Sequence, residues 1–376
     1  MFPVLKTQLY VLMGFAHSGP IFCYSYYAMN ISNISSILSN GVKDKIFPGA
    51  VLSISINGTS PYQMAVGNFT YDQNSSIVSI STIFDIASVT KPIVATVALK
   101  LLELEKIKLD STIGEYLPQL AGTNVGSGIT VWNLLTHTSS INLKMASLAD
   151  EALGKEAFFN ALITYNAKLD PSTQVNYANV NTFLLGEITT VVSGIPLDVL
   201  VRKEVTEPLG MVDTTFVPSP DITERIVPTE IIDTVIIRGV VHDPSVRGIG
   251  GIAGHAGLFS TISDLHNFLT MWTGGGVFKG KRVLAKNIVS QALVNQTPKF
   301  NKSSCLGWHL DNPDYLGNLA SRDTFFHPGF TGTIIVGNIL RKERIVFLSN
   351  CTFPHRENHH IKNEFIKKLF DAIFSS

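Results

Sequence analysis

The chain has 376 residues, of which 45% are hydrophobic and 15% charged, and its 29 basic and 29 acidic residues cancel to a net charge of zero. That length supports a large core in one big domain or two intergrown ones, and the absence of a basic excess excludes the usual nucleic-acid binder. Three cysteines, Cys23, Cys305 and Cys351, make neither a disulfide framework nor a Cys-x-x-Cys metal signature.

At the N-terminus Lys6 precedes an apolar stretch from Leu9 to Ala16, broken by His17. This length suits a signal-peptide core and is too short to span a bilayer. Residues 1–27 are therefore expected to be a leader or an N-terminal arm, with an exported or periplasmic location favoured over a cytoplasmic one. Asn57 and Asn68 open Asn-x-Thr triplets, which are frequent by chance. Ile31 to Asn40 reads as a short amphipathic helix. Ala50 to Ile56 alternates as a half-buried strand should, Asn57-Gly58 turns the chain, and Tyr62 to Val66 supplies a second strand. A buried helix follows, starting near Ser88 and apolar from Ile93 to Leu104.

Residues 111–248 read as mainly helix and loop. Thr130 can cap a helix through Leu135, Gly194 can stop one running from Asn181 to Val192, and Pro208-Leu209-Gly210 ends a third. Further on, Thr261-Ile262-Ser263-Asp264 forms a cap that opens a helix over Leu265–Trp272. Thr333–Ile339 and Arg344–Ser349 read as adjacent strands, and an amphipathic helix with lysines at helical spacing closes the chain. The pattern predicts an α+β fold. Residues 28–110 and 249–376 build one antiparallel sheet with flanking helices, and residues 111–248 form a helical insertion above it.

Three local patterns carry chemistry. Ser88 and Lys91 are three apart and so share a helix face, and Pro92 pins the start of that helix near the serine. A serine at the positive end of a helix dipole, beside an amine, has the setting of an activated nucleophile. The plainer reading is a helix cap and a solvated charge. It is weakened here because a lysine opening a buried helix must be desolvated. Tyr177-Ala178-Asn179 sets a phenol and a carboxamide on one side of an extended segment, or else is a buried tyrosine followed by an N-cap. His327-Pro328-Gly329-Phe330-Thr331-Gly332 offers an imidazole donor and glycines that admit a ligand to the backbone, or else is a turn before a strand. His242, Asp243, His255 and His266 have no helical metal-ligand spacing, so no metal is expected there, and His359-His360 reads as solvated.

In this order the three patterns resemble the active-site motifs of serine β-lactamases and penicillin-binding proteins: Ser-x-x-Lys, then Tyr/Ser-x-Asn, then Lys/His-x-Gly. Leu134-Leu135-Thr136-His137-Thr138-Ser139, Leu184-Leu185-Gly186-Glu187 and Pro208-Leu209-Gly210-Met211 are similar to further blocks of that superfamily. Pro228-Thr229-Glu230, the stretches Gly239–Asp243 and Gly250–Ser260, and Asn350 through Asn358 look like one branch of it. That branch includes N-acetylmuramoyl-L-alanine amidases and proteins described as β-lactamase-like or esterase. Three positions depart from the pattern. Ser140 replaces a usual glycine, Cys351 a frequent arginine, and Asn179 an aspartate common in that branch.

The resemblance implies a β-lactamase/transpeptidase-like fold and hydrolysis of an amide or ester through an acyl-enzyme on Ser88. It implies that Lys91 and Tyr177 share the serine proton, with Tyr177 as the phenolate-like base whose pKa a neighbouring ammonium would lower. Asn179 would orient Lys91 and the substrate amide, and His327 would hold the far side of the substrate. The backbone N–H groups of Ser88 and Phe330, beside Gly329, would form the oxyanion hole. Muropeptides are the leading substrate class, with a promiscuous carboxylesterase, a weak β-lactamase or a non-catalytic penicillin sensor as alternatives. A histidine at 327 in place of lysine points to the peptidase, esterase and amidase side. The expected partner is a small-molecule or cell-wall-fragment substrate, with no cofactor, metal, nucleic acid or stable membrane span, on a monomer or weak oligomer.

Overall fold

The computed structural model describes residues 30–148, 154–357 and 362–374. Residues 1–27, with Cys23, lie outside that set, as do Asn358, His359 and His360. A six-stranded antiparallel sheet runs in the order His309–Leu310, Thr324–Gly329, Thr333–Asn338, Glu343–Ser349, Gly49–Ser55, Tyr62–Gly67. The two chain ends meet in its middle, where Leu52 pairs with Phe347 and Ile54 with Ile345. In the loop after the first strand, Asn57 and Gly58 take φ of 52° and 75°, the left-handed pair that such a sequence favours.

The strand period of two separates two cores. Ala50, Leu52, Ile54, Ile334, Val336, Ile345 and Phe347 face one of them, where Phe365, Ile366, Leu369 and Phe370 of the terminal helix Lys362–Phe374 pack with Leu38 of the first helix, Ile31–Lys43. Val51, Ile335, Val346 and Leu348 face the other, which contains the buried helices Thr90–Glu103 and Ile262–Thr273. The first strand is therefore buried along its whole length, not half-buried as its alternation predicts. Helices on both faces of the sheet enclose its serines, and each finds a partner. Ser53 Oγ lies 3.2 Å from His266 Nδ1, and Ser55 Oγ donates to Thr59 O at 2.6 Å.

The helical layer follows its caps. Thr130 accepts from Asn133 N to start Val131–Thr136, and Gly194 ends Asn179–Ser193 at φ 68°. Thr261 accepts from Asp264 N, so that helix begins at Ile262, earlier than its apolar pattern suggests. The 111–248 region also holds short strands that its sequence did not announce. Thr215–Phe216 pairs with Leu258–Ser260, and Glu230–Ile232 forms a hairpin with Val235–Ile237. Two- and three-residue strands are too short to display a period, and they form here because neighbouring backbone needs partners. Among the described residues, no single helix is long and apolar enough to cross a membrane.

Candidate active site

The serine sits on a constrained turn. Phe84–Asp85 pairs with Leu258–Ser260, and Ala87 then takes φ 46°, a left-handed conformation costly for a residue with a Cβ. The buried Asp85 carboxylate holds this turn, accepting from Ala87 N at 2.8 Å and from His242 N at 2.7 Å. Burial pushes its pKa up to about 6, against the pull of those two N–H groups. A short 3-10 turn, Ala87–Val89, carries Ser88 into the helix Thr90–Glu103, with Pro92 in its first turn.

Lys91 is 1% exposed. Its Nζ lies 2.8 Å from Ser88 Oγ, 3.0 Å from Asn179 Oδ1 and 3.0 Å from the backbone oxygen of His255. Burial lowers its pKa to about 7, with Asp243 opposing. A neutral amine has two N–H donors and one lone pair. The carboxamide and carbonyl oxygens can only accept, so they take both donors and leave the lone pair facing the serine hydroxyl. Glycines make the third contact possible. A Cβ on Gly254 would lie 2.0 Å from Thr182 O, so only a bare backbone lets the loop carrying His255 lie against the helix Asn179–Ser193.

Asn179 is fixed from behind, its Nδ2 donating to Asp243 Oδ2 at 3.4 Å. Asp243 in turn accepts from Ser245 N and Oγ, and Ser245 Oγ contacts His255 Nε2 at 3.1 Å. Burial pushes the Asp243 pKa up, but His255, the Ser245 donors and Lys91 outweigh it and hold the carboxyl below its ordinary value. In the sequence Asp243 closes the Gly239–Asp243 block, where a structural or substrate-contacting role is favoured over metal binding. Its position before Pro244, the N-cap of a short helix, was the available signal.

Tyr177 reaches the same cavity. Its ring lies 4.8 Å from Lys91 Nζ and 4.7, 5.5 and 6.0 Å from the rings of His137, His309 and His327. The residue is 41% exposed as a whole, yet its hydroxyl end is enclosed, and burial raises the phenol pKa well above 10 despite a hydrogen bond with Ser88. This reverses the expectation of a phenol made acidic by an ammonium neighbour. The site desolvates both groups, which favours a neutral amine beside a neutral phenol.

His327 is buried in the strand Thr324–Gly329, its Nδ1 2.9 Å from Pro328 O, an arrangement in which that nitrogen carries the proton. Burial, with His309 and Lys91 adding repulsion, holds its pKa well below 6.5. At neutral pH the imidazole is therefore uncharged. The turn after it is tied to the serine segment. Thr331 Oγ1 donates to Asp85 O at 2.7 Å, and Thr333 Oγ1 to Ile86 O at 3.1 Å. A Cβ on Gly329 would come within 2.6 Å of Ile86 O, so the glycine lets this edge approach the turn bearing Ser88. Ser88, Lys91, Tyr177 and Asn179 thus converge, and Gly329 and Phe330 close one side. His266 lies apart, against Ser53. Thr331 and His255 lie in stretches that the sequence singles out, but the tether and acceptor roles they take, like those of Thr333 and the His309 ring, act through backbone or packing and carry no sequence signal.

The Beta-lactamase family model matches residues 34–365. A putative D-alanyl-D-alanine carboxypeptidase of Escherichia coli (strain K12) is 29% identical over 312 residues, covering 73% of this chain and 70% of that protein. A solved class C β-lactamase superposes with a TM-score of 0.75 at 19% identity, covering 93% of this chain and 99% of its own. EstCE1, a hydrolase with promiscuous acyltransferase activity, gives 0.74 at 17% identity, with 92% and 98% covered. At these identities the solved structures speak for the fold, whereas the family match spans nearly all of the described chain. The chain belongs to the β-lactamase family, as a serine hydrolase of the β-lactamase and penicillin-binding-protein type.

Proposed function

We propose that Ser88 is the nucleophile of an acyl-enzyme hydrolase acting on peptidoglycan-derived amides, muropeptides of the carboxypeptidase or amidase kind. The observation that carries this reading is the 2.8 Å contact between Ser88 Oγ and a lysine amine whose pKa is lowered to about 7. At neutral pH about half of that amine is free to accept a proton. The Ser88 proton passes to Lys91 Nζ as Oγ attacks the carbonyl carbon. The N–H groups of Ser88 and Phe330 receive the oxyanion, and Tyr177, which keeps its proton, gives it to the departing amine. Lys91 then reprotonates the phenol, and water hydrolyses the ester on Ser88. The description of the Escherichia coli relative as a putative D-alanyl-D-alanine carboxypeptidase supports a cell-wall substrate.

Incubating the protein with a fluorophosphonate, a muropeptide and a series of short acyl esters, with intact-mass readout, tests the proposal. The expected result is a covalent adduct that Ser88→Ala abolishes, together with release of an amine product from the muropeptide. Adduct formation that survives in Ser88→Ala refutes the nucleophile. Turnover of esters alone replaces the substrate class with that of a carboxylesterase.

A further inference from the structure

We propose that Lys362, at the start of the terminal helix, is a positioning residue for the peptide that receives the oxyanion; this rests on the preceding assignment of the Phe330 N–H to that task. Lys362 is 7% exposed, and its Nζ donates to Gly329 O at 2.6 Å and to Phe330 O at 2.7 Å. Gly329 C=O and Phe330 N–H belong to one peptide plane, and in a trans peptide they point in opposite directions. Fixing that oxygen behind the strand therefore aims the N–H the other way. A full positive charge on the carbonyl also draws electron density across the amide and makes its N–H a stronger donor.

A cation in the first turn of a helix opposes the helix dipole. Among the described residues no carboxylate comes within ion-pair distance of this amine. The loop it grips is held elsewhere by neutral groups only: Ser349 Oγ donates to Gly332 O at 2.8 Å, and Cys351 N to Thr331 O at 3.0 Å. The Phe330 ring is boxed by cationic or basic groups, with Lys362 Nζ at 5.5 Å, the Arg356 guanidinium at 5.9 Å and the His242 ring stacked at 5.4 Å. Burial lowers the Lys362 pKa to about 8, with Cys351 opposing. The titratable groups that act on it or feel its charge are Cys351 and His242.

The experiment compares acylation of Ser88 by an activated ester and by the matching thionoester, whose sulfur is a poor hydrogen-bond acceptor, across pH 6–10. Lys362→Met is expected to slow the ester about 10- to 100-fold, within the cost of losing an oxyanion donor. It should slow the thionoester much less. Lys362→Arg, which stays charged, is expected to restore the ester rate and to remove the decline of the wild-type ester-to-thionoester ratio above about pH 8. Equal slowing of both substrates by Lys362→Met, or no slowing, overturns the proposal. So does a wild-type ratio that stays flat to pH 10, a measurement needing no variant. A wild-type protein that forms no Ser88 adduct with either substrate or with a fluorophosphonate refutes the hydrolase assignment itself, a distinct outcome.

Discussion

Replacing Asn179 with aspartate tests whether the lysine works as a neutral amine. The substitution keeps size and shape but puts a carboxylate oxygen where Oδ1 now lies, 3.0 Å from Lys91 Nζ. Two unit charges at that separation attract by about 5 kcal/mol at an effective dielectric constant of about 20. The gain is smaller in practice, because the new carboxylate also faces Asp243, whose Oδ2 now accepts from the Asn179 amide at 3.4 Å. Sharing a proton between the two acids leaves a rise of about 1–3 units in the Lys91 pKa. From about 7, that carries the midpoint to between about 8 and 10. At pH 7 the neutral fraction then falls from about one half to between one tenth and one thousandth, so acylation slows about 5- to 500-fold. Single-turnover acylation of Ser88 by a chromogenic ester, followed from pH 5 to 10, reads this directly. The wild type should rise with a midpoint near 7, and the variant should rise later to a comparable plateau. An unmoved or acid-shifted midpoint in Asn179→Asp would falsify the neutral-amine mechanism.

Two other outcomes follow from the same surroundings. Tyr177→Phe preserves the ring contacts with His137, His309 and His327 and removes only the hydroxyl. Amide turnover should fall about 100- to 10,000-fold, while acylation by an ester with a phenolate leaving group, which needs no proton, falls less than about 10-fold. Equal losses on both substrates contradict the donor role. The second outcome concerns acid stability. His242, His255, His266 and His309 are held down to about 3 to 4 by burial, and His137 and His327 lie well below 6.5. A histidine kept neutral in the fold stabilises it above pH 6.5, and that stability is lost as pH falls toward the folded pKa. Asp85 and Asp264, raised by burial to about 6, act in the opposite sense, since the stability they contribute below pH 4 is lost as pH rises through 6. More histidines are held down than acids are held up, so between pH 7 and 5 the unfolded chain binds more protons than the fold and stability falls with pH. Urea midpoints at pH 7, 6 and 5 should drop steeply, and a flat series over that range refutes the buried-neutral assignment.

The parts of the fold legible in the sequence were those written in local periodicity and punctuation. Asn57-Gly58, Thr130, Gly194 and Thr261 each mark an element end because cap and turn chemistry is settled by a few neighbouring residues. The pairing of the two chain ends was readable from apolar strands at both, but not the burial of Ser53 and Ser55, which depends on helices covering both faces. In the site, Ser88 and Lys91 show themselves by spacing, and Tyr177 and Asn179 by order along the chain. The protonation states were not legible. A lysine and a tyrosine brought together read as an ion pair on paper. Only the enclosure supplied by the helix Asn179–Ser193, the loop at His255 and the rings of His137 and His309 makes the neutral pair the better arrangement. In the sequence Lys362 is one of several lysines on an amphipathic helix, and its spacing does not separate it from Lys367 and Lys368, which are exposed.

Two buried amines with opposite duties explain why the same residue type is handled differently at two places. Lys91 is fully buried among a hydroxyl, a neutral carboxamide and one carbonyl, and burial takes it down to about 7 against the pull of Asp243. Lys362, 7% exposed against 1% for Lys91, donates to two carbonyl oxygens at 2.6 and 2.7 Å and stays higher, at about 8, with Cys351 opposing the burial. On the proposed mechanism catalysis needs the first without its proton and the second with it, so the rate is expected to rise as Lys91 loses its proton and to fall as Lys362 loses its own. An aspartate at 179 moves the lower limit up and an arginine at 362 removes the upper one. Combining the two substitutions should therefore displace the optimum to alkaline pH without narrowing it. The paired change distinguishes two separately tuned amines from a single titration that both variants happen to perturb.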